Sequence, residues 1–373
     1  VNIPLSEPDI TEPEIEEVVS VLRSSRLSLG PKMEEFEASV SGYVGIPFGI
    51  AVSSGTAGLH LCIRALGIGL GDEVIVPSFT FIAAANAIRY EGATPVFVDI
   101  DPQSLNLDPA RVEEAITART RAIIVVHTFG VPAEMDALLD IAERHHLRVI
   151  EDACEAIGAE YGKHRVGTFG DAAVFAFYPN KQITTGEGGM IVTRDHHLAT
   201  EIRAMRNQGR HHSDAWHQHS ILGWNYRMSE INCALGCAQM RRIDHILSSR
   251  ENVARTYADA LNDVEGVEPP PLHLSGRHIS WFVYVIRLAP HFGREERDTI
   301  ARKLIDQGIG CGRYFAPIHM QPAYDNLPVA HSLPVTEAVS SRTLALPFFN
   351  RLDKERILHI VKTFKEIINS LKI

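Results

Sequence analysis

AIIVVHTFGVPAEMDALLDIAERHHLRVIED, residues 122–152, is an apolar run, a turn, an amphipathic segment and a second apolar run. Both runs (122–127 and 147–151) are too short and too continuously apolar for exposed helices and suit strands buried on both faces. The segment between them, 134–145, has helical spacing, so the stretch reads as one βαβ unit with parallel strands. The same alternation extends outward in both directions. Strand-like runs stand at 48–52 (FGIAV), 73–77 (EVIVP), 94–98 (TPVFV), 172–177 (AAVFAF) and 190–193 (MIVT). Helical patterns fall at 34–43, 56–67, 110–117 and 197–206. Together they predict an α/β fold around one large, mostly parallel open sheet.

Beyond this region the pattern changes. Residues 229–262 form a helical stretch longer than an average helix, expected as two helices or one bent helix. PPPLH at 269–273 marks a candidate boundary, since proline stops both element types. A strand pattern at 281–288 (WFVYVIRL), helices at 294–307 and 354–371 and a loop region at 308–328 follow. The expected division is a large domain at 1–250 and a smaller α+β domain at 251–373. A helix in EIEEVVSVLRS (14–24) is expected, with the first 30 residues packing on the smaller domain.

The 373 residues are 45% apolar and 22% charged, an ordinary globular composition that excludes a mainly disordered or fibrous chain. Lys and Arg total 36 and Asp and Glu 46, so the charge is 36 − 46 = −10. That balance argues against a nucleic-acid or anionic-membrane surface. The cysteines at 62, 154, 233, 237 and 311 are too scattered for a disulfide scaffold. Cys233 and Cys237 lack the further ligands a zinc site needs, so no metal is expected. The N-terminal stretch has no basic start and apolar run, which points to the cytoplasm.

Several residues carry chemistry. Lys181, between the strand AAVFAFY and the turn TTGEGG (184–189), is either a solvated loop charge or an amine able to bond an electrophile. Asp152 ends a strand, where open α/β sheets place ligands, and is either a helix cap or the partner of a protonated ring nitrogen. Ser53, Ser54, Gly55, Thr56 and Ala57 open a helix directly after a strand, the arrangement of an anion cradle. Phe79 and Phe81 are either core or a stacking surface for a flat ring. Asn225 and Arg227 precede the cap Ser229 after a histidine-containing polar loop, a place suited to ligand or interface contacts.

A lysine, a strand-end aspartate, a helix-start cradle and an aromatic together describe a pyridoxal phosphate site. The chain resembles the DegT/DnrJ/EryC1/StrS sugar aminotransferases, of type I aminotransferase fold. The likeness rests on residues 53–81, 94–109, 151–159 (EDACEAIGA), 167–193 and 223–236 (GWNYRMSEINCALG). It implies a pyridoxal phosphate-dependent enzyme moving an amino group from L-glutamate, which leaves as 2-oxoglutarate, to a nucleotide-linked keto sugar. The implied assembly is a homodimer with shared active sites, with no nucleic-acid or membrane partner. By the same resemblance, Lys181 is the covalent anchor and proton carrier, and Asp152 the ring-nitrogen partner. Gly55 and Thr56 hold the phosphate, Phe81 stacks on the ring, and Asn225 reaches the neighbouring subunit's phosphate. His319 and Tyr314, in RYFAPIHMQPAY, line the sugar-nucleotide site. Two departures stand out. Ala176 replaces a serine that donates to the phosphate in many members, leaving Asn180 or a water to fill the gap. Glu155 stands near the cofactor hydroxyl, where many members carry glutamine or histidine. FAFYPNKQITTGEGG and HTFGVPAEMD resemble members that aminate C4 of a 4-keto-6-deoxy sugar. The alternatives are C3 or cyclitol amination, or a non-catalytic protein keeping the fold.

Overall fold

The computed structural model describes residues 2–325, 327 and 332–371. Residues 326 and 328, within the loop region expected at 308–328, lie outside the described residues. The chain opens with helices α1 (Glu12–Leu22) and α2 (Pro31–Val44). Strands and helices then alternate: β1 (Phe48–Val52), α3 (Gly55–Ala65), β2 (Glu73–Pro77), α4 (Ala83–Tyr90), β3 (Thr94–Val98), α5 (Pro109–Glu114), β4 (Thr120–Val126), α6 (Met135–Arg144) and β5 (Arg148–Asp152). The short β6 (Glu160–Tyr161) and β7 (His164–Arg165) precede β8 (Ala172–Ala176), β9 (Gly189–Thr193) and α7 (His196–Arg206). The long helical stretch is two helices, α8 (Glu230–Arg241) and α9 (Ile243–Leu261). The remainder holds β10 (Val267–Glu268), β11 (Arg277–His278), β12 (Tyr284–Leu288), α10 (Arg294–Asp306), α11 (Pro334–Ser340), β13 (Thr343–Leu346) and α12 (Lys354–Asn369).

The central sheet has the order β1-β9-β8-β5-β4-β2-β3. Strand β9 runs antiparallel to β1 and β8, while the other neighbouring pairs are parallel. Residues Val74–Val76, Ile123–Val125 and Ala173–Val174 are fully buried, because helices cover both faces of the sheet. One face packs under α3, α4 and α7, with Leu59, Ala84 and Ile202 in its core. On the other, Met33, Phe36 and Cys237 lie in one cluster and Leu138 and Ile141 in another. Cys233 and Cys237 are buried packing residues, and burial pushes the Cys237 thiol up to about 12.

A second sheet, β10-β12-β13, carries its own core around Tyr257, Tyr284, Phe348 and Phe364. Of the first 30 residues, expected on this second unit, α1 packs instead on α8 of the large unit, where Glu14 accepts from Arg242 (2.7 Å) and Gln239 (2.9 Å), and only the leading stretch joins this core. Ile3 is fully buried in it, donates its N–H to the Gly308 carbonyl (2.8 Å) and accepts from Gly310 N (2.8 Å), while Leu5 O accepts from Phe348 N (2.9 Å). We propose the division at residues 250 and 251 expected above. Helix α9 continues across it, and its buried Arg250 grips the second unit by donating to the carbonyls of Trp281 (2.7 Å) and Phe282 (2.8 Å).

The two units also meet at Gly130. Its φ is +84°, it accepts from Ser280 N (3.0 Å), and a Cβ there would overlap the Ser280 carbonyl oxygen. Gly130→Ala combines left-handed strain with a backbone clash. It is expected to cost about 2–4 kcal/mol, read as a lower urea midpoint at an unchanged slope.

Candidate active site

Parallel strands bring their C-terminal ends to one edge of the sheet, where side chains from segments far apart in sequence converge. At the end of β1, Ser54 caps α3, its Oγ accepting from Ala57 N (3.1 Å). Strand β5 ends in Asp152, β8 in Ala176, and β2 runs on into Phe79 and Phe81. These ends, the turn after β8 and segments from the second unit enclose a cavity of about 630 Å³. Its wall includes Gly55, Thr56, Phe81, Asp152, Glu155, Asn180, Lys181 and Tyr314.

Lys181 sits in a turn that its own N–H closes on the Tyr178 carbonyl (2.9 Å). Its Nζ lies 3.5 Å from Glu155 Oε1 and 3.9 Å from the centroid of the Phe282 ring. The lysine is therefore held in the cavity wall, its side chain only 14% exposed, which answers the solvated-loop alternative. Glu155 Oε2 accepts from Phe129 N (2.9 Å), and burial pushes the Glu155 carboxyl above its ordinary range, against the pull of Lys181. Proximity to the ammonium and the Phe129 amide compensates this buried carboxylate.

Asp152 is buried, and Cys154 N donates to its Oδ1 (3.2 Å). Residues 153–159 form turns, so Asp152 caps no helix. Beyond Cys154, no residue among those described bonds to its carboxylate. Below it, Glu151 is fully buried and accepts from Gly167 N, Phe169 N, Gly170 N and His127 Nε2. Ala133 N donates to His127 Nδ1 (3.1 Å), so the ring proton sits on Nε2 and points at Glu151. Neighbouring carboxylates thus differ sharply. Glu151 is saturated by donors, while Asp152 has Cys154 alone among the described residues and lines the cavity.

The two aromatics separate cleanly. Phe79 is core, packed edge-on against Phe129 and Phe315, while Phe81 is 61% exposed at the cavity. At the cradle, a Cβ on Gly55 would come 2.8 Å from Ala176 Cβ and 2.9 Å from Cys154 Sγ, so only glycine allows this approach. Asn180 Nδ2 donates to Tyr314 Oη (3.3 Å), and its Oδ1 is buried without a partner among the described residues.

Two expected site residues lie elsewhere. Asn225 is exposed and outside the cavity wall, in a bridge with Asn207. Its neighbours reach the cradle from behind, through Tyr226 O accepting from Ser53 N (2.8 Å) and Arg227 bridging Val52. His319 is outside the wall as well, its Nδ1 2.6 Å from Ser78 Oγ and its Nε2 3.5 Å from Glu337. Phe282 and Arg313 line the cavity without having been singled out in the sequence. Phe282 read as part of a buried strand, and nothing local marks it as facing a lysine about a hundred residues earlier.

The sequence model of the DegT/DnrJ/EryC1/StrS aminotransferase family matches residues 8–365. The chain is 42% identical to GDP-perosamine synthase of Caulobacter vibrioides over 91% of each chain. It is 38% identical to UDP-N-acetyl-3-dehydro-alpha-D-glucosamine 3-aminotransferase of Acidithiobacillus ferrooxidans, over 94% of this chain and 92% of that one. Among solved structures it superposes on the sugar aminotransferase Spr1654 of Streptococcus pneumoniae in its PLP form, with a TM-score of 0.94, 29% identity and full coverage of both chains.

Proposed function

We propose, for a chain that belongs to the DegT/DnrJ/EryC1/StrS aminotransferase family and is a pyridoxal phosphate-dependent enzyme, that it transfers the amino group of L-glutamate to a nucleotide-linked keto sugar. The observation that carries this reading is the convergence of Lys181, Asp152 and the start of α3 on one cavity. The cavity fits the cofactor. A cavity-lining Asp152 carboxylate suits a protonated ring nitrogen, and a helix start suits a phosphate. The substrate class is supported by the two relatives, whose names carry GDP- and UDP-linked sugars. We place the new amine at C4 of a 4-keto-6-deoxy sugar, from the likeness of 127–136 and 175–189 described above.

Bound pyridoxal phosphate supplies an electron sink for the carbanion left when the donor loses its α-proton. The chain's own groups do the rest. Lys181 would anchor the cofactor covalently, and its freed amine would take the donor's α-proton and return it across the transferring nitrogen to the cofactor's exocyclic carbon. Asp152 holds the proton on the ring nitrogen, and the α3 start with Thr56 fixes the phosphate end. Phe81 and Tyr314, both in the cavity wall, would serve the flat ring and the arriving sugar respectively. The acceptor sugar then meets the same groups in reverse order.

The test is a panel of nucleotide-linked 3-keto and 4-keto sugars offered with glutamate. Product mass reports replacement of C=O by CH–NH2, and tandem fragmentation reports which carbon. No amination of any member overturns the reading, and amination only at C3 overturns the ring position.

We further propose a homodimer in the cytoplasm, with Asn225 donating to the neighbouring subunit's phosphate. Its exposure outside its own cavity is what such a role requires. Asn225→Ala is expected to weaken cofactor binding about tenfold, the scale of one charge-assisted hydrogen bond. Mixing it with Lys181→Ala subunits at subsaturating cofactor is expected to restore part of the activity, since one site of the mixed dimer carries both lesions and the other neither. No recovery after verified subunit exchange removes Asn225 from the shared site.

A further inference from the structure

The seat of the lysine amine is built largely from the second unit. Phe282 is 1% exposed, lines the cavity and presents its ring face to Lys181 Nζ at 3.9 Å from the centroid, with Glu155 Oε1 3.5 Å from the same nitrogen. The ring's position is fixed from several sides. Arg250, itself 3% exposed, donates to the Phe282 carbonyl, and the ring meets Tyr314 edge-on at 6.2 Å. Both chain neighbours of Lys181 tie into the same structure. Asn180 bonds to Tyr314 Oη, and Gln182 Nε2 donates to the Ser280 carbonyl (3.1 Å).

An aromatic face attracts an ammonium but has no lone pair to take its proton. Glu155 alone would draw the protonated amine toward itself and compete for that proton. The ring supplies a second attraction without that competition, so the amine stays aimed into the cavity while it carries a proton. We infer that Phe282 is a positioning residue for the proton transfer made by Lys181, holding the protonated amine by its ring face. This rests on the aminotransferase reading of Lys181 and adds the group that orients it.

The test replaces Phe282 by leucine, which keeps an apolar filler without a π face. It also replaces Phe282 by fluorinated phenylalanines, which keep the shape and weaken the face stepwise. Phe282→Leu is expected to slow the glutamate half-reaction about tenfold, leave the glutamate KM within about twofold, and enlarge the isotope effect with α-deuterated glutamate. Fluorination is expected to slow the same step progressively, and decides the matter if Phe282→Leu does not fold.

A readout independent of turnover is NMR of [13C]lysine-labelled protein loaded with pyridoxamine phosphate. The Lys181 Hε resonances are expected upfield in the unmodified protein, from the ring current, and near ordinary positions in Phe282→Leu. Unchanged rates across the fluorinated series, or ordinary Hε positions in the unmodified protein, overturn the inference. Failure of the underlying reading is distinct, since the unmodified protein would then show no glutamate-dependent change in cofactor absorbance.

Discussion

Lys181→Ala is expected to leave a folded protein whose transamination is at least about 10⁴-fold down, beyond the usual share of a single general acid or base, because covalent anchoring and proton transfer are lost together. The fold survives because the lysine sits in a turn closed by backbone, with Lys181 N bonded to Tyr178 O, a contact alanine keeps. The buried Glu155 loses its cation, but its carboxyl is already pushed toward the neutral form by burial and can accept a proton instead. The measurement is single-turnover absorbance with glutamate, alongside the melting temperature. Lys181→Arg is the companion. It keeps a charge near Glu155 but stays protonated and cannot bond the cofactor, so it is expected to be equally inactive. Activity in either variant well above that level sinks the assignment of Lys181.

The second large effect is at Asp152. Asp152→Asn keeps an oxygen for Cys154 N, so the turn at 153–159 is expected to hold and the cofactor to remain bound. What is lost is the negative charge that keeps a proton on the ring nitrogen. Removing a preorganised electrostatic partner of this kind costs about 10²–10³-fold in rate. Loss of deuterium from the α-position of labelled glutamate measures the affected step directly. An unchanged exchange rate would reduce Asp152 to a turn residue.

How much of this was legible depended on where each signal lay. The strands at 48–52, 73–77 and 94–98 stand at the expected residues, because a strand buried on both faces is written as an unbroken apolar run bounded by turn residues. Helix α4 went unpredicted. It has eight residues, barely two turns, and no side-chain cap at Ile82, so no start signal marks it. Helix α11, seven residues begun by Pro334, likewise went unassigned, in the stretch between the loop expected at 308–328 and the terminal helix. At the site, Lys181, Asp152 and the cradle were visible because each sits beside a strand end, a place the strand pattern itself marks. Phe282 and Arg313 were not, since their place in the wall follows from how the second unit docks, which no local spacing encodes. The helix-cap alternative for Asp152 was decided only by the turns after it, where EDACEAIGA carries no strong helix stop or start.

The N-terminal segment stitched into the second unit has a consequence for how the protein is made. Ile3 and Leu5 find their partners at residues 308–310 and 348, so on the ribosome they wait while some 300 residues are added. At roughly 5–20 residues per second that is roughly 15–60 s during which an apolar stretch has no place to go. The parallel sheet at 48–193 can assemble in the meantime, but the second core cannot close until residues 344–368 have been made. Residues made some 300 positions before their partners are thus among the last to be buried, and the nascent chain spends that interval with an unpartnered apolar stretch for chaperones to shield.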